Sequence, residues 1–307
     1  MYQLLTFFFF VTTSVNVYGQ TFYSKSYGNS NSKPIIFIHG GPSGNSTLFE
    51  ATSAQKIADK GFYVIVYDRR GEGRSIDTTA KFTYEEYLND LNKIYKTYNI
   101  DKANLIAHSF GGLVATLFAE KYPQKVQSLI LTGSLISQQE TYNYILKTVN
   151  QIYLNTKDTL MLNRVSTISL LDKKSAEYRK ECFELAYLNG FFDMPNPTEK
   201  SIELRDEYQS SDLFKNNIRN LLAPKLFFEN ELNSNIDIKP ILRKLTKTDV
   251  KLYAIYGHQD KIFSMYQLKE LKKIVDKRNF RLLDNCSHYL YVDQQEEFIK
   301  TIIKWIK

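Results

Sequence analysis

The order of apolar segments predicts an α/β fold: a mostly parallel central sheet with helices on both faces and one helical insertion. Three observations carry this. Strand and helix segments alternate from residue 33 onward, the strand segments are continuous apolar runs, and the alternation stops once, between residues 137 and 247. Repeated βα units build parallel sheets, and strands covered on both faces read as unbroken apolar runs.

The elements follow in order. Residues 33–38 (KPIIFI) make a strand that runs into HGGPSGN, and a helix over 46–60 ends at Gly61. Residues 62–67 (FYVIVY) make the next strand, opening into DRRGEGRS. Thr83 and Glu86 have capping-box spacing, and Tyr84, Tyr87, Leu88, Leu91 and Ile94 keep one face of the helix after them apolar. A strand at 103–107 leads through a turn into a small-residue helix at 111–122, and another strand covers 126–131. The interruption holds amphipathic helical stretches, including 140–153 and 173–188, broken by DMPNP at 193–197. The pattern resumes with a strand at 250–256, a helix at 264–277, a strand at 280–283 and a last helix with Phe298, Ile302, Trp305 and Ile306 on one face. The chain thus divides into a discontinuous core, 20–136 and 248–307, and a helical cap, 137–247, inserted after the strand that ends near residue 131.

Composition sets outer limits. With 307 residues, 43% hydrophobic and 24% charged, the chain falls in the globular class rather than the disordered or collagen-like ones. The net charge of +7 is dispersed, so no nucleic-acid partner is expected. Residues 1–19 carry no charge and an apolar centre too short to span a bilayer. They read as a signal peptide cleaved after Gly19, which predicts a secreted or periplasmic protein without stable membrane insertion after cleavage. Export permits a Cys182–Cys286 bridge but does not demand one. No HxH, HxxxH or CxxC spacing occurs, so neither a metal nor a cofactor is expected.

In parallel sheets, ligands lie beyond the carboxyl ends of the strands. All four histidines, His39, His108, His258 and His288, fall at or near such ends. AHSFGG at 107–112, between a strand and a small-residue helix, has the form of a sharp turn that lifts the Ser109 hydroxyl above the sheet. A serine needs a base and the base an orienting acid. His288 and Asp260 follow later strands in the order serine, acid, histidine, with Asp284 as the substitute acid. His108 is the poorer base because it directly precedes Ser109. An oxyanion would be held by the N–H groups of Phe110 and Gly41, the latter in HGGP, where glycines allow close backbone approach.

On these motifs the chain resembles α/β-hydrolases from residue 33 to its end, and HGGPSG with DRRGEGRS resembles the prolyl iminopeptidase family. Asp68, Arg70, Gly71, Gly73 and Ser75 match that family's D-x-R-G-x-G-x-S string, with Arg74 at its last open position, and His288 with Asp293 matches its G-H-x4-D/E ending, Ser287 replacing the glycine. The resemblance implies a Ser109–His288–Asp260 triad, oxyanion donors at Gly41 and Phe110, and an acyl-enzyme mechanism. It also implies aminopeptidase action, with carboxylesterase or lipase-like action on small acyl esters as the alternative. Family members bind the substrate's α-amino group through acidic cap residues; Glu184 and Glu229 are the candidates here, followed by Asp193 and Glu231. Small-molecule, peptide or ester substrates are the expected partners, and the oligomeric state is left open.

Overall fold

A computed structural model describes residues 21–307. The segment read as an export signal lies outside them. Seven strands form one sheet: β1 (Ser24–Tyr27), β2 (Lys33–Ile38), β3 (Phe62–Tyr67), β4 (Ala103–His108), β5 (Val126–Thr132), β6 (Lys251–Gly257) and β7 (Phe280–Leu283). Their order is β1-β3-β2-β4-β5-β6-β7, with β1 antiparallel to β3 and every other pair parallel. The six strands expected are present. β1 is an addition: SKSY has no apolar run, and its place comes from pairing with β3, Ser24 opposite Tyr67.

The unbroken apolar runs are explained by burial on both sides. Alternate residues of a strand point to opposite faces, and here Ile36, Ile38, Ile65, Leu105 and Leu129 enter one core cluster. Their neighbours Ile35, Phe37, Val64, Ile106 and Ile130 enter the other. Each fully buried aliphatic side chain contributes roughly 1.5–3 kcal/mol, so a polar residue in either set would weaken the sheet.

Two helical starts differ from expectation. Thr83 Oγ1 accepts the Glu86 N–H at 3.3 Å, but the Glu86 carboxylate accepts from Lys81 and Phe82 at 2.8 Å. Only the forward half of the capping box forms. The helix expected over 46–60 is instead Thr47–Phe49, a π-helical turn at Glu50–Ala54, and Gln55–Ala58. Glu50 is turned inward, where it accepts from Arg74 at 2.8 Å and from the hydroxyls of Tyr23 and Tyr27.

Between β5 and β6 the described chain forms helices Gln138–Thr156, Thr159–Ser169, Ala176–Leu188, Glu199–Gln209, Asp212–Lys215, Ala223–Asn230 and Lys239–Leu245. The insertion closes on itself. Gln138 N donates to Ile236 O at 3.1 Å and Ile238 N to Ile136 O at 2.9 Å. Helix Lys239–Leu245 then packs on helices Gly111–Lys121 and Met265–Val275, which flank the sheet. The closing contact therefore precedes the expected boundary at residue 247. Among the described residues, no helix is long and apolar enough to cross a membrane.

Candidate active site

Ser109 follows β4 immediately, with a left-handed backbone, φ +52°. Such a conformation is strained for a non-glycine residue and persists only where its surroundings hold it. They do so here: Ser109 N donates to Thr132 O at 3.3 Å, and Leu135 N to Ser109 O at 3.1 Å. Helix Gly111–Lys121 starts at once and lies so close to β2 that a Cβ on Gly111 would run into the carbonyl oxygens of Ile38 and His39. A Cβ on Gly40 would lie 3.1 Å from that of Ser109, so the loop after β2 passes directly beside the serine.

Asp260 and His288 come from the loops after β6 and β7 and are 4% and 3% exposed. His288 Nδ1 lies 2.8 Å from Asp260 Oδ2. A carboxylate only accepts, so Nδ1 carries the proton of this bond, and Nε2 is the ring nitrogen left for other partners. The other Asp260 oxygen accepts the Ile262 N–H at 3.3 Å. Behind His288, Ser287 donates its N–H to Asp293 Oδ2 at 2.9 Å, and Asp293 is held by Arg205 at 2.6 Å. Asp293 thereby anchors the turn that carries His288.

His108 sits between the two halves. Its Nε2 lies 2.9 Å from His288 O and must carry the proton of that bond. Its ring is 4.7 Å from that of His288. Burial holds its pKa well below the ordinary range, with His288 adding to the effect. The residue before the serine thus holds the backbone of His288.

The loop after β2 is held by a buried cation absent from the expected site. Arg69, fully buried, donates to His39 O at 2.6 Å, to Gly40 O at 2.7 Å and, through Nε, to Glu72 at 3.0 Å. A trans peptide directs its C=O and N–H to opposite sides; anchoring Gly40 O on Arg69 points the Gly41 N–H the other way. Gly41 has φ +147°, and a Cβ there would lie 2.6 Å from the guanidinium. Only glycine fits. His39 receives the Arg69 N–H on Nε2 at 3.1 Å and donates Nδ1–H to Gly40 O at 2.7 Å. Burial, followed by Arg69, lowers its pKa to about 3. His39 is neutral, so its 3.8 Å approach to Glu72 is no ion pair. Arg69 and Glu72 occupy positions that the D-x-R-G-x-G-x-S string leaves variable, and the glycine pair at 40–41 was the only nearby signal in the sequence.

The matched positions of that string build the loop itself. Asp68 accepts from Ser46 N at 2.8 Å and from Arg74 Nε at 2.7 Å, Arg70 donates to Asp90 at 2.6 Å, and Ser75 Oγ donates to Asp68 O at 2.6 Å. Asp284, the substitute acid, pairs with His258 at 2.9 Å on the exposed surface. Among the acidic cap candidates, Glu184 bonds Arg164 at 2.8 Å and Glu229 lies 3.7 Å from Lys225. Glu231 accepts the Tyr84 N–H at 2.9 Å, and Asp193 is exposed. None of these carboxylates is among the groups around His288. The cap reaches the site through residues 191–192: Lys261 N donates to Phe191 O at 3.1 Å, and the Phe192 ring stands edge-on to His288 at 5.3 Å. Cys182 and Cys286 are both buried and free, and burial pushes the Cys182 thiol up to about 12.

A family model for the alpha/beta hydrolase fold matches residues 33–295. The chain belongs to the alpha/beta hydrolase family. The hydrolase is 24% identical over 297 residues to the proline iminopeptidase of Saccharolobus solfataricus, covering 94% of this chain and 90% of that one. Its fold is similar to a proline iminopeptidase-related protein of Thermus thermophilus, with TM-score 0.66, 22% identity and 94% of each chain covered. It is also similar to an esterase from Exiguobacterium antarcticum, with TM-score 0.60, 17% identity and coverage of 94% of this chain and 96% of that one.

Proposed function

We propose that the hydrolase works by acyl transfer to Ser109, a reading carried by the buried 2.8 Å Asp260–His288 pair beside the strained turn at Ser109. Ser109 Oγ attacks a carbonyl carbon as its proton passes to His288 Nε2. The resulting oxyanion is received by the N–H groups of Gly41 and Phe110, neither of which has a backbone acceptor among the described residues. Collapse expels the leaving amine or alcohol with the proton from His288. Water then attacks the acyl-enzyme, again through His288, and the acid departs. Asp260 keeps the imidazole in the tautomer the cycle needs.

The iminopeptidase relatives support cleavage at the N-terminal residue of a peptide. Ester hydrolysis is the second reading, favoured by a specific observation: Glu184 is bonded to Arg164 and Glu231 to the Tyr84 N–H, so neither stands unengaged to receive an α-amino group. The uncharged apolar segment at 1–19 supports export, to the extracellular space or periplasm. N-terminal sequencing of the secreted chain should begin at Gln20.

The decisive experiment is Ser109→Ala. Turnover of proline and alanine arylamides and of short-chain nitrophenyl esters should vanish, labelling by a fluorophosphonate should be lost, and the melting temperature should remain near that of the wild type. Residual turnover at the wild-type rate would overturn Ser109 as nucleophile.

A further inference from the structure

We infer that the hydrolase takes a substrate bearing a carboxylate, with Arg179 of the cap as its partner. This rests on the reading of Ser109 as nucleophile and goes beyond it by naming a substrate class.

Arg179 lies on helix Ala176–Leu188 with its guanidinium 5.1 Å over the ring of Phe183, one turn further on. Phe183 packs on Phe192 at 6.3 Å, and Phe192 on His288 at 5.3 Å. Two ring contacts therefore separate the cation from the proposed base. Arg179 is mostly buried, yet among the described residues its guanidinium has neither a hydrogen bond nor an ion pair. The contrast with its surroundings is direct. Arg69, Arg70, Arg74, Arg164 and Arg205 each hold a carboxylate within 2.8 Å.

Burial pulls the Arg179 guanidinium below its ordinary range, and the groups that act against this are Tyr142, Tyr87 and Glu72. Glu72 is already bound to Arg69 and makes no ion pair with Arg179. The hydroxyls of Tyr84 and Tyr87 are buried without a hydrogen-bond partner among the described residues. Their rings pack on Phe110, the proposed oxyanion donor, at 5.9 and 6.0 Å. A fork of N–H donors left without a protein partner matches a carboxylate, which accepts at both oxygens. The α-ammonium group of a peptide would meet repulsion there instead.

Two ester pairs test this. 4-Nitrophenyl hemiglutarate is compared with 4-nitrophenyl valerate, and 4-carboxyphenyl butyrate with phenyl butyrate, placing the carboxylate on the acyl and the alcohol side in turn. In one pair kcat/KM should favour the carboxylate by at least about tenfold, as a charge-assisted hydrogen bond supplies. Arg179→Met should abolish that preference and Arg179→Lys retain part of it. Binding is read without turnover in Ser109→Ala, where monomethyl glutarate should raise the melting temperature more than methyl valerate does and lose that advantage when Arg179→Met is added. Equal rates within both pairs, or a preference that survives Arg179→Met, overturn the proposal while leaving the nucleophile intact. Absence of any turnover and of fluorophosphonate labelling overturns the nucleophile instead, and the monomethyl glutarate measurement still decides the carboxylate site.

Discussion

Arg69 holds two consecutive carbonyl oxygens, those of His39 and Gly40, from a fully buried position. A cation is costly to bury unless paired, and Glu72 supplies the pair while its other oxygen receives the Ser43 N–H at 2.9 Å. The guanidinium also covers the rings of Tyr87 and Phe110 at 5.1 and 5.6 Å, so one residue supports both proposed oxyanion donors. Replacing it with methionine frees the Gly40 carbonyl and leaves Glu72 buried without its partner. We predict that Arg69→Met lowers kcat by about 10²-fold, the usual effect of a lost oxyanion donor, with a smaller change in KM, and that Arg69→Lys recovers part of the loss. Steady-state kinetics on one neutral ester measures this; a fall in melting temperature with kcat intact at low temperature would show a structural role alone. In the sequence Arg69 is one basic residue among forty. Nothing local distinguishes it, because its function comes from a loop some thirty residues earlier in the chain.

Among the elements, the strands were the most legible. Continuous runs such as FYVIVY admit few conformations other than a strand buried on both faces, and β3 is buried throughout. β1 was illegible for the complementary reason, since SKSY is half exposed and owes its conformation to its neighbour. Helix Gly111–Lys121 shows what close packing imposes. Gly111 meets the carbonyls at the end of β2, and a Cβ on Gly112 would lie 2.4 Å from that of Ser134. Gly111→Ala should therefore push the helix off the strand ends, destabilising the fold by about 1–3 kcal/mol through overpacking and reducing turnover by shifting Ser109. Urea denaturation with an activity assay on the folded fraction tests it; wild-type stability and rate together would refute the close contact.

At the scale of the whole molecule, the cap and the core meet at the site. Phe191 and Phe192 bind the loops that carry Asp260 and His288, so cap position and the geometry of the Asp260–His288 pair are linked. Lys239 ties the hinge, bonding Glu140 at 2.5 Å on the first cap helix and Glu270 at 3.0 Å on a core helix. A global pH dependence also follows from the buried histidines. His39 is held at about 3 and His108 well below 6.5, so the fold refuses protons that the unfolded chain accepts below pH 6.5. The sign is fixed by that difference: the stabilisation is complete above pH 6.5 and is lost as pH falls toward 3. Each histidine contributes at most about 1.4 kcal/mol per pH unit in that window. Denaturant unfolding at pH 7 and pH 5 should show the decline, and His39→Gln should make it shallower by about one proton. An unchanged slope in that variant would contradict a neutral His39.

The sequence by itself determined the α/β order, the place of the insertion, and the turn residues around Ser109, Asp260 and His288, because strand burial and sharp turns leave local signatures in composition and spacing. The tertiary structure decided the rest. It paired His258 with the substitute acid Asp284, engaged Glu184 and Glu229 with cations, gave His108 the backbone of His288 to hold, and set Arg69 behind the glycine loop. Each of these is a contact between segments far apart in the chain, and a charge shows its partner only once the fold has brought the two together.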